Sequence, residues 1–72
     1  MADLNTMKLW CGDRPGERCM WRLVSCAGNV ASNGEPLDGE LTIAAEGMNK
    51  EMTLPVEEFL ANFYRTSLYR KV

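Results

Sequence analysis

The residues of this 72-residue chain that could carry chemistry are three cysteines, ten acids, and a set of arginines set among aromatics. Cys11, Cys19 and Cys26 have none of the short spacings of a zinc knuckle, and the chain contains no histidine to complete a metal site or act as a general base. No C-x-x-C redox pair is present, and an odd number of thiols does not make a disulfide framework. A reactive thiol would need a lowered pKa, to which Arg18 or Arg22 could contribute, but packing is the expected role of all three. Cys19 shares its strand parity with Trp21 and Leu23 and is expected to face inward. Cys26 has the opposite parity and is expected to be exposed.

Other catalytic arrangements are equally absent from the sequence. There is no G-x-S-x-G elbow, Walker loop or G-x-G-x-x-G. Pro15 and Asp13 spoil the Gly12–Gly16 stretch as a phosphate cradle. Glu57 and Glu58 are adjacent, so on a helix they point about 100° apart and cannot act as a carboxylate pair. The expectation is a non-enzymatic protein with no cofactor and no metal site.

Charge is divided along the chain. Residues 1–34 carry a net of +1, residues 35–58 a net of −6, and residues 59–72 a net of +3, with an overall formal charge of −2. Glu35, Asp38, Glu40, Glu46 and Glu51 are the candidate partner-binding residues. Gathered on one face they would attract a basic partner, or imitate the phosphates of DNA, and repel nucleic acid. The alternative is a small nucleic-acid-binding domain using Arg65, Arg70 and Lys71. Arg14, Arg18 and Arg22 would join that set in space, and Trp10, Trp21 or Tyr69 would serve for stacking. An acidic pI near 5.0 and the lack of a basic run weigh against it. Protein binding, homodimerisation included, is the favoured class, because two Trp, two Tyr, two Phe and five Arg are anchor-type residues and five Met add adaptable apolar surface.

A chain this short has room for one core. Its 46% hydrophobic and 25% charged residues are a globular balance rather than that of a disordered tail. Apolar runs are too short to span a bilayer, and the first six residues lack the pattern of a secretory signal, so a cytoplasmic protein without membrane contact is expected. Leu9–Cys11 reads as a short strand stopped by the Pro-Gly turn at 15–16, and residues 18–26 as a second strand. Residues 27–39, with three glycines and the turn dipeptides Asn33-Gly34 and Asp38-Gly39, read as a long loop, which a brief strand near Val30–Ala31 would shorten. Residues 40–46 alternate and return through 51–54, which sets Met52 and Leu54 beside Leu41 and Ile43. Val56, Phe59, Leu60, Phe63 and Tyr64 follow helical spacing, which predicts an amphipathic helix over 55–65 with Pro55 at its first position and Arg65 near its last turn. Residues 66–72 read as an edge strand or a basic tail.

Two stretches carry a family resemblance. Pro15-Gly16-Glu17 leading into Trp21-Arg22-Leu23-Val24, and Met52-Thr53-Leu54-Pro55-Val56-Glu57-Glu58-Phe59-Leu60-Ala61-Asn62-Phe63, resemble short uncharacterised phage and prophage proteins with an SH3-like barrel. The resemblance spans about residues 12–65. It implies a mobile-element accessory protein that binds or inhibits a host protein, and it carries no catalytic residue. The loop at 27–39 and the tail at 66–72 depart from it. The expected architecture is therefore α+β, mainly β: a small curved antiparallel SH3-like sheet with one C-terminal amphipathic helix. Its expected core is Trp21, Leu23, Leu41, Ile43, Met52, Leu54, Val56, Phe59, Leu60 and Phe63.

Overall fold

Alternation of apolar and polar residues organises most of the chain into strands. The structure, a computed structural model, describes residues 3–70. Its strands are β1 (Lys8–Gly12), β2 (Met20–Cys26), β3 (Glu40–Ala45), β4 (Glu51–Pro55) and β5 (Phe63–Tyr69), with a single helix α1 (Val56–Asn62) between β4 and β5. All pairings are antiparallel and the strand order is β4-β3-β2-β1-β5, one open mainly-β sheet whose edges are β4 and β5. The hairpin of β3 and β4 has the expected register, Leu41 opposite Leu54 and Ile43 opposite Met52.

The inner face is built in rows across the strands. Trp10, Trp21 and Ala45 share one row, Leu23 and Ile43 with Met52 the next, and Cys26, Leu41 and Leu54 the third. Val56 and Phe59 of α1 close over this face, with Phe59 stacked on Phe63 at 4.8 Å and tilted against Trp10 at 4.7 Å between ring centroids. The core differs from the expected set, which lacked Leu9, Ala44 and Ala45. Leu60 is 47% exposed, because a two-turn helix docks through Val56 and Phe59, and Leu60 lies about 100° round from Phe59. Met52 is only partly buried, whereas Trp10, 2% exposed, belongs to the core.

The helix is shorter than its apolar stripe. It stops at Asn62 and the chain turns directly into β5, so Tyr64 and Arg65 lie on a strand and no basic residue occupies the last helical turn. The Phe63 N–H still donates to the Phe59 carbonyl, but Asn62 O already accepts from Asp13 N–H at 2.8 Å. Phe63 is buried under either pattern, and pairing residues 63–65, two of them aromatic, with β1 outweighs extending a helix too short to be stable alone. Pro55 is the N-cap, extended at φ −62° and ψ 143°, rather than the first helical residue.

Cys26 is also corrected. The β2–β3 register shifts between Leu23 and Ser25, and this bulge restores Cys26 to the inner face opposite Leu41. Both Cys19 and Cys26 are half-buried and pack against the core, and all three thiols are free. The bulge leaves Val24 and Ser25 as the exposed pair.

The 27–39 connection is ordered by its own hydrogen bonds. Val30 bridges Pro36, Ala31 N–H donates to Glu35 O at 2.8 Å, and Leu37 N–H donates to Asn29 O at 2.9 Å. At its stem the Asp38 carboxylate accepts the Asn29 N–H at 2.8 Å and the Asn29 side-chain amide at 3.1 Å. The backbone bond comes first among the causes that hold the Asp38 pKa below the ordinary 3.8. A carboxylate lowered in the folded state adds stability above its unfolded pKa and loses it as pH falls through the folded value. The Asn29 amide resonance is therefore expected to hold steady from neutral pH down to that region and to move only below it. Asp38→Asn should remove the titration, and a midpoint at or above 3.8 would contradict the contact.

Candidate functional site

The structure separates the acids that the sequence grouped. Glu40 opens β3 opposite Pro55, and Asp38 precedes it at the loop stem, whereas Glu51 lies opposite Ala44 and Glu46 follows β3 at its other end. Five residue steps along β3 put the two groups roughly 17 Å apart. Glu35 sits on the far side of the loop, its Oε2 3.1 Å from the Nε of Arg65. The Glu46 Oε2 lies 3.6 Å from the Nε of Arg70, an ionic contact without hydrogen-bond geometry.

These pairs join the two candidate sets to each other. Arg65 and Arg70, the described members of the basic alternative, each face a carboxylate from the acidic set, and Lys71 lies outside the described residues. Arg14 is also engaged, its guanidinium meeting Glu17 and Glu58. Trp10 and Trp21 are buried, so neither is available for base stacking; Tyr69, 57% exposed, is the one of the three that is.

Exposed apolar side chains gather instead on β5. Tyr64, Leu68 and Tyr69 are each more than half exposed. Beside them a cavity of about 360 Å³ has Leu9 as its buried floor, Leu68 and Tyr69 as wall, and the Glu46–Arg70 pair at its rim. The strand next to this groove has a free side. The bonds from Asp13 N–H to Asn62 O and from Arg70 N–H to Met7 O mark hydrogen-bonded positions at the two ends of the β1–β5 ladder. By antiparallel alternation, Arg65 and Tyr69 turn their N–H and C=O groups away from β1, toward the open edge. Thr66 breaks the register within the strand: its Oγ1 donates to Leu9 O at 2.8 Å and accepts from Leu68 N–H at 3.1 Å.

Sequence reasoning placed an edge strand only at the end of the chain. The strand character of 63–69 is masked by the helical spacing that runs into it from Val56.

Among the described residues no group of three or more His, Cys, Asp and Glu could hold a metal ion, and no helix is long and apolar enough to cross a membrane. No family model, curated protein or solved structure matches the chain.

Proposed function

We propose that this chain is a non-enzymatic protein-binding module that captures an extended apolar segment of a partner along β5. The observation that carries this is the coincidence, on one edge strand, of backbone groups at Arg65 and Tyr69 that alternation turns to the open edge, away from any strand among the described residues, with the exposed side chains Tyr64, Leu68 and Tyr69. Strand addition uses both: main-chain hydrogen bonds supply affinity, and alternate side chains of the incoming strand fill the neighbouring groove for specificity. The neutralising pairs Arg65–Glu35 and Arg70–Glu46 favour an apolar strand over a strongly charged one. The strand order, with β5 returning to β1 and a short helix between β4 and β5, supports an SH3-like reading of the sheet. The mobile-element role, binding or inhibiting a host protein, rests on the resemblance of residues 15–24 and 52–63 and would make that segment part of a host protein.

Panning a display library of random linear peptides against the immobilised chain tests the proposal. The expected result is enrichment of sequences that alternate apolar and β-branched residues. Arg65→Pro should reduce binding of the enriched peptides at least tenfold, because it removes an outward N–H while leaving the β1 ladder bonds in place. Arg65→Ala, which loses only the side chain and its ion pair, should bind them within about threefold of the parent. Equal binding by parent and Arg65→Pro would overturn the strand-addition mode.

A further inference from the structure

On the other side of β5 lies a second cavity, of about 280 Å³, between the N-terminal segment, β1, β2, the 27–39 loop and β5. Its walls are rich in hydrogen-bond donors. Asn5 and Asn33 both line it, and the backbone fixes how each amide is oriented. Asn5 Oδ1 accepts from the N–H groups of Met7 and Lys8 at 3.0 and 3.3 Å, and Asn33 Oδ1 accepts from Glu35 N–H at 3.1 Å. Among the described residues neither Nδ2 group has a partner. The Lys8 ammonium lies 5.8 Å from the centre of the Tyr69 ring and forms no ion pair among the described residues. Arg65 meets Glu35 through Nε.

A fifth donor lies buried behind this wall. Trp10 lines the same cavity and is 2% exposed, yet its indole N–H is buried without an acceptor. The other indole, that of Trp21, donates to Glu17 O at 3.0 Å. Buried donors are nearly always satisfied, so this orphaned one leaves an uncompensated positive edge beside the cavity.

We infer that this cavity is a binding site for a small organic monocarboxylate, a property beyond the capture of a partner strand. Donors outnumber acceptors at its wall, which suits an oxyanion. Two cations face one carboxylate, Glu35, so the site is complementary to a single negative charge, and a phosphate dianion would meet Glu35 with excess charge. Trp10 and Leu23 lie behind the floor, only 2% and 1% exposed, so the accessible wall is mainly polar. At ~30 Å³ for each water-sized group the volume has room for about nine of them, the scale of a single ring bearing a carboxylate.

The test is an NMR titration of the full ¹⁵N-labelled chain at constant ionic strength, with benzoate as the probe and benzamide and inorganic phosphate in parallel. Benzoate is expected to move the Trp10 indole cross-peak saturably, with a low-millimolar Kd or tighter, and to leave the Trp21 indole in place as an internal reference. Benzamide and phosphate should each act at least tenfold more weakly. Lys8→Gln should weaken benzoate at least tenfold, and Asn33→Asp, which adds an acid to the wall, at least as much. Should one variant fail to fold, the other carries the comparison. No saturable shift at Trp10, an equal response to benzamide, or tighter binding of phosphate would overturn the inference. Because this readout involves no peptide, its failure would be distinguishable from failure of strand capture at β5.

Discussion

Trp21→Ala is expected to leave the chain largely unfolded at 25 °C. Trp21 is the largest fully buried side chain, 0% exposed, at the centre of the row from Trp10 to Ala45. It meets Phe63 edge-on at 6.0 Å, lies 5.6 Å beneath the Lys50 ammonium, and donates its indole N–H to Glu17 O. Truncating a buried tryptophan costs about 3–5 kcal/mol. At roughly 0.05–0.15 kcal/mol per residue, the whole chain has only about 4–11 kcal/mol, and small domains lie toward the low end. Urea unfolding followed by circular dichroism measures the loss. Leu60→Ala is the informative contrast. A core position would lose about 2–5 kcal/mol, whereas the exposed side of α1 should lose no more than about 0.5 kcal/mol. Equal damage from the two would contradict the docking of α1 through Val56 and Phe59.

Gly28→Ala should have the next largest effect, although it adds one methyl group in a stretch without regular strand or helix. A Cβ at Gly28 would sit 2.1 Å from the backbone oxygen of Asp38, and one at Gly39, where φ is +87°, would lie 2.7 Å from Gly28 itself. The two arms of the loop stem touch main chain to main chain, so a methyl group has no flexible side chain to push aside. Forcing the stem apart is expected to cost about 1–3 kcal/mol. It should break the Asn29–Asp38 bonds and lift the Asn33–Glu35 tip, which holds the N-terminal segment through the bond from Asn5 N–H to Gly34 O at 2.9 Å. Amide exchange at Asn5, Ala31 and Leu37 would accelerate well beyond that of β3. Ser32→Ala, at the exposed turn of the same loop, should change neither quantity. An unaltered exchange pattern in Gly28→Ala would show that the stem is not closed in this way.

The fold was legible where one periodicity acted alone. Leu41, Ile43, Met52 and Leu54 alternate between turn residues, and the hairpin they predict has that register. Reading failed where two signals overlapped or one residue shifted the count. Phe63 satisfies both a helical stripe and the start of a strand, and only pairing with β1 decides between them. Cys26 changes face because a bulge at Val24–Ser25 inserts one residue, which parity counting cannot detect. Trp10 was missed as core because a five-residue strand offers too short a pattern to assign its faces. The candidate sites were less legible still. Charges separate along the chain into an acidic and a basic block, but Glu35 pairs with Arg65 and Glu46 with Arg70 only after β5 folds back onto β1. Both features at the second cavity, the fixed Asn5 and Asn33 amides and the orphaned Trp10 indole buried beside it, depend on contacts that sequence spacing does not encode.

The most direct test of β5 as a binding edge is residue-resolved hydrogen exchange on the chain alone and with a peptide enriched by display. Alone, the Arg65 and Tyr69 amides should exchange near the rate of an unstructured chain, while Arg70, bonded to Met7 O, is protected. With peptide bound, Arg65 and Tyr69 should become protected at least tenfold, and amides of β4, the other edge, should not change. Protection appearing on β4 or in the 27–39 loop, with Arg65 and Tyr69 still open, would contradict the account and place the partner elsewhere.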